Sequence, residues 1–211
     1  MSTILITGAT SGFGKAIAYK FGAEGFDLVI TGRRLTRLEE IENDLESKYG
    51  INVLSLNFDV REQVEVEQAI ASIPNEIKDS IEVLVNNAGL AVGRDTIDNG
   101  IIEDWDRMID TNVKGLLYVT KELIPILKSN QNGHIINIGS TAGKESYLSG
   151  NVYCASKHAV DSLSKSMRID LLPFGIKVTN IAPGLAETEF SLVRFKGDQE
   201  KAERFMRGLI L

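Results

Sequence analysis

Short apolar runs alternate with longer amphipathic stretches along this chain, and the alternation predicts βα units feeding a parallel sheet. The runs that read as strands are Thr3 to Thr7, Asp27 to Thr31, Asn52 to Phe58, Val83 to Asn86, His134 to Ile138 and Lys177 to Ile181. Between the second and third of these, Leu35, Leu38, Ile41 and Leu45 recur at spacings of three and four. That period gives one apolar helix stripe with acids on the other face, as expected of a helix packed on a sheet. Asp104 to Leu127 and Asn151 to Leu172 read as two longer helices, the second with Ala155, Ala159, Leu163 and Met167 on one stripe. Small residues there allow close packing, within the domain or against a second subunit. No linker, low-complexity tract or charge block interrupts the pattern, so residues 1–211 are expected to form one domain.

The composition narrows the possible partners. With 43% hydrophobic and 25% charged residues, the chain has enough apolar side chains for a sizeable core. A net charge of -6 argues against nucleic acid or an anionic membrane as partner. One cysteine excludes an internal disulfide, and two histidines leave no cluster at metal-ligand spacing, so no metal site is expected. A reducing cytoplasm fits this usage. The first residues enter a strand and a glycine turn without a basic leader or long apolar segment, so neither a signal peptide nor a membrane span is expected.

The first turn carries the clearest ligand signal. Thr7-Gly8-Ala9-Thr10-Ser11-Gly12-Phe13-Gly14 follows the first strand, and a helix begins near Phe13. Glycines let the backbone approach a pyrophosphate, while a helix N-terminus offers unpaired N–H groups and a favourable dipole. A nucleotide-triphosphate loop is excluded: Gly8 is one residue too far from Gly14-Lys15, and Ala16 replaces the magnesium-binding hydroxyl. The Gly-x-Gly-x-x-Gly fingerprint is also absent, and a glycine turn with no ligand is the structural alternative. After the second strand stands Thr31-Gly32-Arg33-Arg34, where selection of NAD would place an acid near the ribose 2′-hydroxyl. Two guanidiniums instead suit a 2′-phosphate, which they can bind bidentately.

Candidate chemistry lies between Ser140 and Lys157. Tyr153 and Lys157 are four apart on a helical stretch, so an ammonium and a phenol share one face. A nearby cation favours the phenolate, making the pair a candidate general acid/base. Lowering a phenol's pKa by roughly three units takes about 4 kcal/mol, more than one partly solvated ammonium supplies, so a second positive charge such as oxidised nicotinamide is expected beside it. Ser140 ends the run from His134 and points into the crevice where open α/β sheets bind ligands. Taken singly, the tyrosine–lysine pair and the serine each have an ordinary structural reading.

Together these residues resemble the short-chain dehydrogenase/reductase family. The resemblance runs from the first strand to about residue 190 and rests on Thr7-Gly8-x-x-x-Gly12-x-Gly14, Asp59, Asn86-Asn87-Ala88-Gly89, Asn112, Ser140, Tyr153-x-x-x-Lys157 and Pro183-Gly184. It implies a Rossmann-like doubly wound parallel sheet in the order 3-2-1-4-5-6, flanked by helices. It also implies hydride exchange between nicotinamide and a carbinol carbon, with Tyr153 as acid/base, Lys157 on the nicotinamide ribose, Ser140 orienting the reacting oxygen and Asn112 helping to hold a relay water. Cofactor contacts are implied for Gly8, Thr10, Ser11, Gly12, Phe13, Gly14, Asp59, Val60, Asn86, Ala88, Gly89, Tyr153, Lys157, Pro183, Gly184 and Thr188. With Arg33 and Arg34 the expected cofactor is NADP, with NADPH preferred over NADH.

The segment from Pro183 to Asp198 is similar to a subgroup acting on serine, allo-threonine and related small 3-hydroxy acids with NADP. Arg194 and Lys196 could meet a substrate carboxylate there. A general carbonyl or 3-oxoacyl reductase is the enzymatic alternative. Cys154 is expected to be a packing residue, His134 and His158 structural, and Trp105 an anchor for the start of its helix. The family usually continues for several tens of residues with a seventh strand, whereas this sequence ends at Arg207-Gly-Leu-Ile-Leu211. Hence the seventh strand is expected to be absent, and a dinucleotide-binding module with little turnover is a further alternative. The family's habits and the helix stripes suggest a homotetramer or homodimer.

Overall fold

The computed structural model describes residues 2–130, 133–186 and 188–207, the side chains of 206 and 207 excepted. Residues 208–211, on which the expected ending turns, and Glu187 of the segment from Pro183 to Asp198 lie outside the described residues. Six strands form one parallel sheet: β1 (Thr3–Ile6), β2 (Asp27–Gly32), β3 (Val53–Asn57), β4 (Ile81–Asn86), β5 (His134–Ile138) and β6 (Lys177–Ile181). Their order is β3-β2-β1-β4-β5-β6, as expected for a doubly wound sheet. Among the described residues no seventh strand is present. Strand bounds shift by one or two residues from expectation, with β5 and β6 unchanged.

The strands are apolar on both faces because each face is covered by helices. On one side Ile4, Ile6, Leu28, Ile30 and Val85 pack with Ala18 of α1 (Gly12–Ala23) and with Leu38, Ile41 and Leu45 of α2 (Leu35–Tyr49). Leu35, expected on that stripe, is 51% exposed at the first turn of the helix. On the other side Leu5, Val29, Leu84, Ile135 and Val178 meet residues of three further helices. These are Val66 and Ile70 of α3 (Gln63–Ser72), Leu123 and Leu127 of α6 (Leu116–Ser129), and Val160 and Met167 of α7 (Asn151–Leu171). A single turn, α4 (Asn75–Lys78), precedes β4.

The helix expected from Asp104 to Leu127 is broken into α5 (Ile102–Ile109), a π-helical segment (Asp110–Gly115) and α6. Gly115 sits against Val60, where a Cβ would come within 2.8 Å of the valine side chain. In α7 the buried face is Tyr153, Lys157, Val160, Ser164, Met167 and Leu171. Of the stripe expected there only Met167 is buried; Ala155 is exposed, and Ala159 and Leu163 are half-buried. Two short helices, α8 (Glu189–Arg194) and α9 (Gln199–Arg207), complete the described chain. No helix among the described residues is long and apolar enough to cross a membrane.

Candidate active site

The strand order reverses between β1 and β4, and open α/β sheets bind ligands in the crevice this makes at the strands' carboxyl ends. A cleft of about 540 Å³ opens there. Its floor at one end is the turn from Gly8 to Phe13. Gly8 has φ +67°, and a Cβ on it would stand 2.9 Å from the Ala88 Cα, so glycine is required twice over. The Thr7 hydroxyl accepts from the N–H groups of Asn87 and Ala88 at 3.0 and 2.9 Å, and the Asn87 amide donates to the carbonyls of Thr7 and Gly8. These bonds lock the end of β1 to the turn after β4. Gly14 does not line the cleft; a Cβ there would collide with the Gly8 carbonyl and the Asn87 amide, so its part is to let α1 approach the turn.

Arg33 and Arg34 line the far end of the cleft. Arg33 leans toward Asp59 at 3.4 Å, while the Nε and Nη2 of Arg34 donate to the Thr10 hydroxyl at 3.1 and 2.8 Å. Burial alone would raise the Asp59 carboxyl, but hydrogen bonds and charge from Arg61, with Arg33 beyond, hold it below the ordinary range. Val60, Ala88 and Gly89 line the middle, and Pro183, Gly184 and Thr188 the opposite wall. The Asn86 side chain is engaged within the domain. It is buried with its amide donating to Thr120 and Asn137, inside the domain and off the cleft.

At the near end, Ser140, Tyr153 and Lys157 come together on the cleft wall. The Ser140 hydroxyl accepts from the Ala142 N–H at 3.1 Å and lies near enough to the Tyr153 phenol to bear on its pKa. Burial raises the phenol's pKa, and the Ser140 hydroxyl opposes this. The expected lowering by Lys157 is therefore not seen in the chain alone. The ammonium donates to the Ile138 carbonyl at 2.8 Å, and its burial pushes its own pKa down to about 8. Asn112, in the π-helical segment, is also off the cleft. Its amide brackets Leu90, accepting from the Leu90 N–H and donating to the Leu90 carbonyl at 2.8 Å each, and it donates to Ser156 at 3.0 Å. With those groups engaged, its side chain holds the cleft's edge in place.

Arg194 lies at this end, only 3% exposed. Its Nη2 donates to the Tyr147 hydroxyl at 2.9 Å, its guanidinium stands 5.6 Å from the Tyr153 ring centre, and its Nε has no hydrogen-bond partner among the described residues. Lys196 is instead drawn off to Asp104 at 2.7 Å. Tyr147, Arg94, Phe190 and Phe205 also line this end and were not singled out from the sequence. Their only signal was an aromatic or basic residue in segments that the topology later brings together. Cys154 is buried packing, His134 bonds to the Thr179 hydroxyl on the adjacent β6, and His158 bonds to the Cys154 carbonyl one turn back in α7. Trp105 packs half-buried under Gly100. Among the described residues there is no metal-binding cluster.

The residues fit a dinucleotide. Besides the glycine turn and the arginines, the hydroxyls of Thr31 and Thr111 are buried in residues lining the cleft and have no partner among the described residues. Comparison with known proteins agrees. The sequence model of the short chain dehydrogenase family matches residues 2–198. The NADP-dependent 3-hydroxy acid dehydrogenase YdfG of Escherichia coli (strain K12) is 47% identical over 202 residues, covering 95% of this chain and 79% of that protein. A sulfoacetaldehyde reductase of Chromohalobacter salexigens is 44% identical over 206 residues, covering 97% of this chain and 80% of that one. The closed form of a serine dehydrogenase complexed with NADP+ superposes with a TM-score of 0.90 at 47% identity, covering 96% of this chain and 80% of that one. With its sheet in the order 3-2-1-4-5-6 and the family's sequence model matching residues 2–198, this chain belongs to the short-chain dehydrogenase family.

Proposed function

We propose that this chain is an NADP-dependent oxidoreductase that interconverts a small 3-hydroxy acid, such as serine or allo-threonine, with the matching carbonyl compound. The observation carrying the substrate class is Arg194, a buried cation whose Nε has no partner among the described residues, set beside the phenol at the cleft's near end. A guanidinium in that place suits a small carboxylate or sulfonate. The relatives named for 3-hydroxy acids and for sulfoacetaldehyde both act on anionic molecules of this size.

The glycine turn and the Thr31 and Thr111 hydroxyls would hold the dinucleotide, with Arg33 and Arg34 on its 2′-phosphate. When bound, the nicotinamide supplies or accepts the hydride. Tyr153 keeps its proton at neutral pH in the chain alone, which suits it to donate to an oxygen as charge develops there; in the oxidative direction it takes the hydroxyl proton. Ser140, fixed by the Ala142 N–H, offers its hydroxyl to the same oxygen. Lys157 supplies a cation behind the phenol. Asn112 keeps Leu90 and α7 in register through Ser156.

We further place residues 1–211 in one domain that assembles as a homotetramer or homodimer in a reducing cytoplasm, a reading supported by the exposed Ala155 on α7. Light scattering tests the assembly, and a monomer would remove it. Activity is tested by titrating the chain with NADPH and NADH, then following NADP reduction with serine, allo-threonine and their neutral esters. Turnover confined to the acids is expected. Equal rates on the esters would favour a general carbonyl reductase, and NADPH binding with no turnover a binding module.

A further inference from the structure

Glu189 sits as an anion between two guanidiniums. Its Oε1 accepts from Arg37 Nη1 at 2.8 Å, and its Oε2 accepts from both Arg34 Nη1 and Arg37 Nη1 at 2.9 Å. The contact joins distant parts of the sequence: Arg34 precedes α2, whereas Glu189 opens α8 across the cleft. The neighbours of Glu189 reach the rest of the cleft. The Thr188 side chain faces Gly12, 3.5 Å from where a Cβ would stand on that residue, and Phe190 packs on Tyr153 with ring centres 5.7 Å apart. One carboxylate thus fastens the wall of the cleft to the arginine at its far end.

We infer that Glu189 occupies, on Arg34, the seat that the cofactor's 2′-phosphate needs, so that it competes with that phosphate and sets the margin by which NADPH is preferred over NADH. This rests on the reading that Arg34 binds the 2′-phosphate. The Nε–Nη2 edge of Arg34 is turned to Thr10, which leaves the Nη1 end of the guanidinium, where Glu189 now accepts, as the part turned toward an anion. A dianionic phosphate brought there meets the carboxylate's like charge, whereas the uncharged ribose hydroxyl of NADH does not. The carboxylate and both arginine side chains are roughly two-fifths exposed, so the competition is modest in size and Glu189 can be replaced without disturbing the core.

The test is a direct binding titration, without substrate, of wild type, Glu189→Gln and Arg34→Ala with NADPH and NADH. Glu189→Gln should tighten NADPH about fivefold and leave NADH within about twofold, the change expected from losing one partly exposed charge. Unchanged or weaker NADPH binding, or equal tightening of both, would overturn the inference. Arg34→Ala separates the two readings: it should weaken NADPH far more than NADH, and an equal loss would remove the phosphate assignment itself. A selective loss in Arg34→Ala without tightening in Glu189→Gln would overturn only the role of Glu189.

Discussion

The Arg194 guanidinium stands 5.6 Å from the centre of the Tyr153 ring, so the cleft's buried cation and its candidate acid/base share one wall. A substrate whose anionic group meets Arg194 would present a carbon a few bonds away to Tyr153 and Ser140. Replacing Arg194 by methionine removes the charge while keeping an unbranched side chain of similar reach. Losing a charge-assisted hydrogen bond of about 1.5–3 kcal/mol corresponds to a rise in KM of roughly ten- to a hundredfold for a 3-hydroxy acid. The neutral ester should be unaffected, and a parallel loss on both, measured by steady-state kinetics, would show that Arg194 only props up the fold.

Tyr153→Phe keeps the ring packed against Phe190 and removes only the hydroxyl. Cofactor affinity should stay within about twofold, while kcat falls roughly 10²- to 10⁴-fold, the usual contribution of a positioned acid/base. Ser140→Ala should fall similarly, since it removes both a donor to the reacting oxygen and the group that opposes the raised pKa of the phenol. Retention of most activity in either variant, measured at saturating cofactor, would displace that residue from the chemistry.

The fold was readable because its signals are local. The short continuous apolar runs of the strands, and the i, i+3, i+4 stripe of α2, survive any tertiary context. Tyr153 and Lys157 were readable for the same reason, as a four-residue spacing on a helix fixes which side chains are neighbours. What the sequence could not reveal depended on contacts between distant segments. Asn86 and Asn112 belong to the pattern that carried the family resemblance, yet their amides serve Thr120, Asn137, Leu90 and Ser156, partners 22 to 51 residues away. Arg194 and Lys196 looked equivalent on paper. Only the packing of α8 turns one into the cleft and leaves the other to Asp104.

Gly14→Ala tests the close approach of α1 to the glycine turn. The added methyl meets the Gly8 carbonyl and the Asn87 amide, both fixed by bonds across the turn. Because the obstacle is partly backbone, relief requires α1 to shift, and overpacking of this kind costs about 1–3 kcal/mol. The variant should melt several degrees lower and bind NADPH at least tenfold more weakly. Normal binding with a lowered melting temperature would confine Gly14 to a packing role with no bearing on the cofactor.

Lys157 offers a case in which removing a site residue stabilises the chain. The residue is 6% exposed, and its ammonium meets one carbonyl and has its pKa pushed down to about 8 by burial. A folded-state pKa below the unfolded value of about 10.4 means that the unfolded chain binds the proton more tightly. The penalty is therefore complete below pH 8, shrinks as pH rises through the folded pKa, and vanishes above the unfolded one. At neutral pH it amounts to about 3 kcal/mol, from which about 1 kcal/mol is subtracted for the bond to Ile138. Lys157→Met should thus raise the melting temperature of the cofactor-free chain by roughly 4–8 °C at pH 7 and by much less near pH 10, while abolishing turnover. Calorimetry at the two pH values decides the matter: a lower melting temperature at pH 7, or a gap that does not narrow at pH 10, would mean that the buried ammonium is not a source of instability.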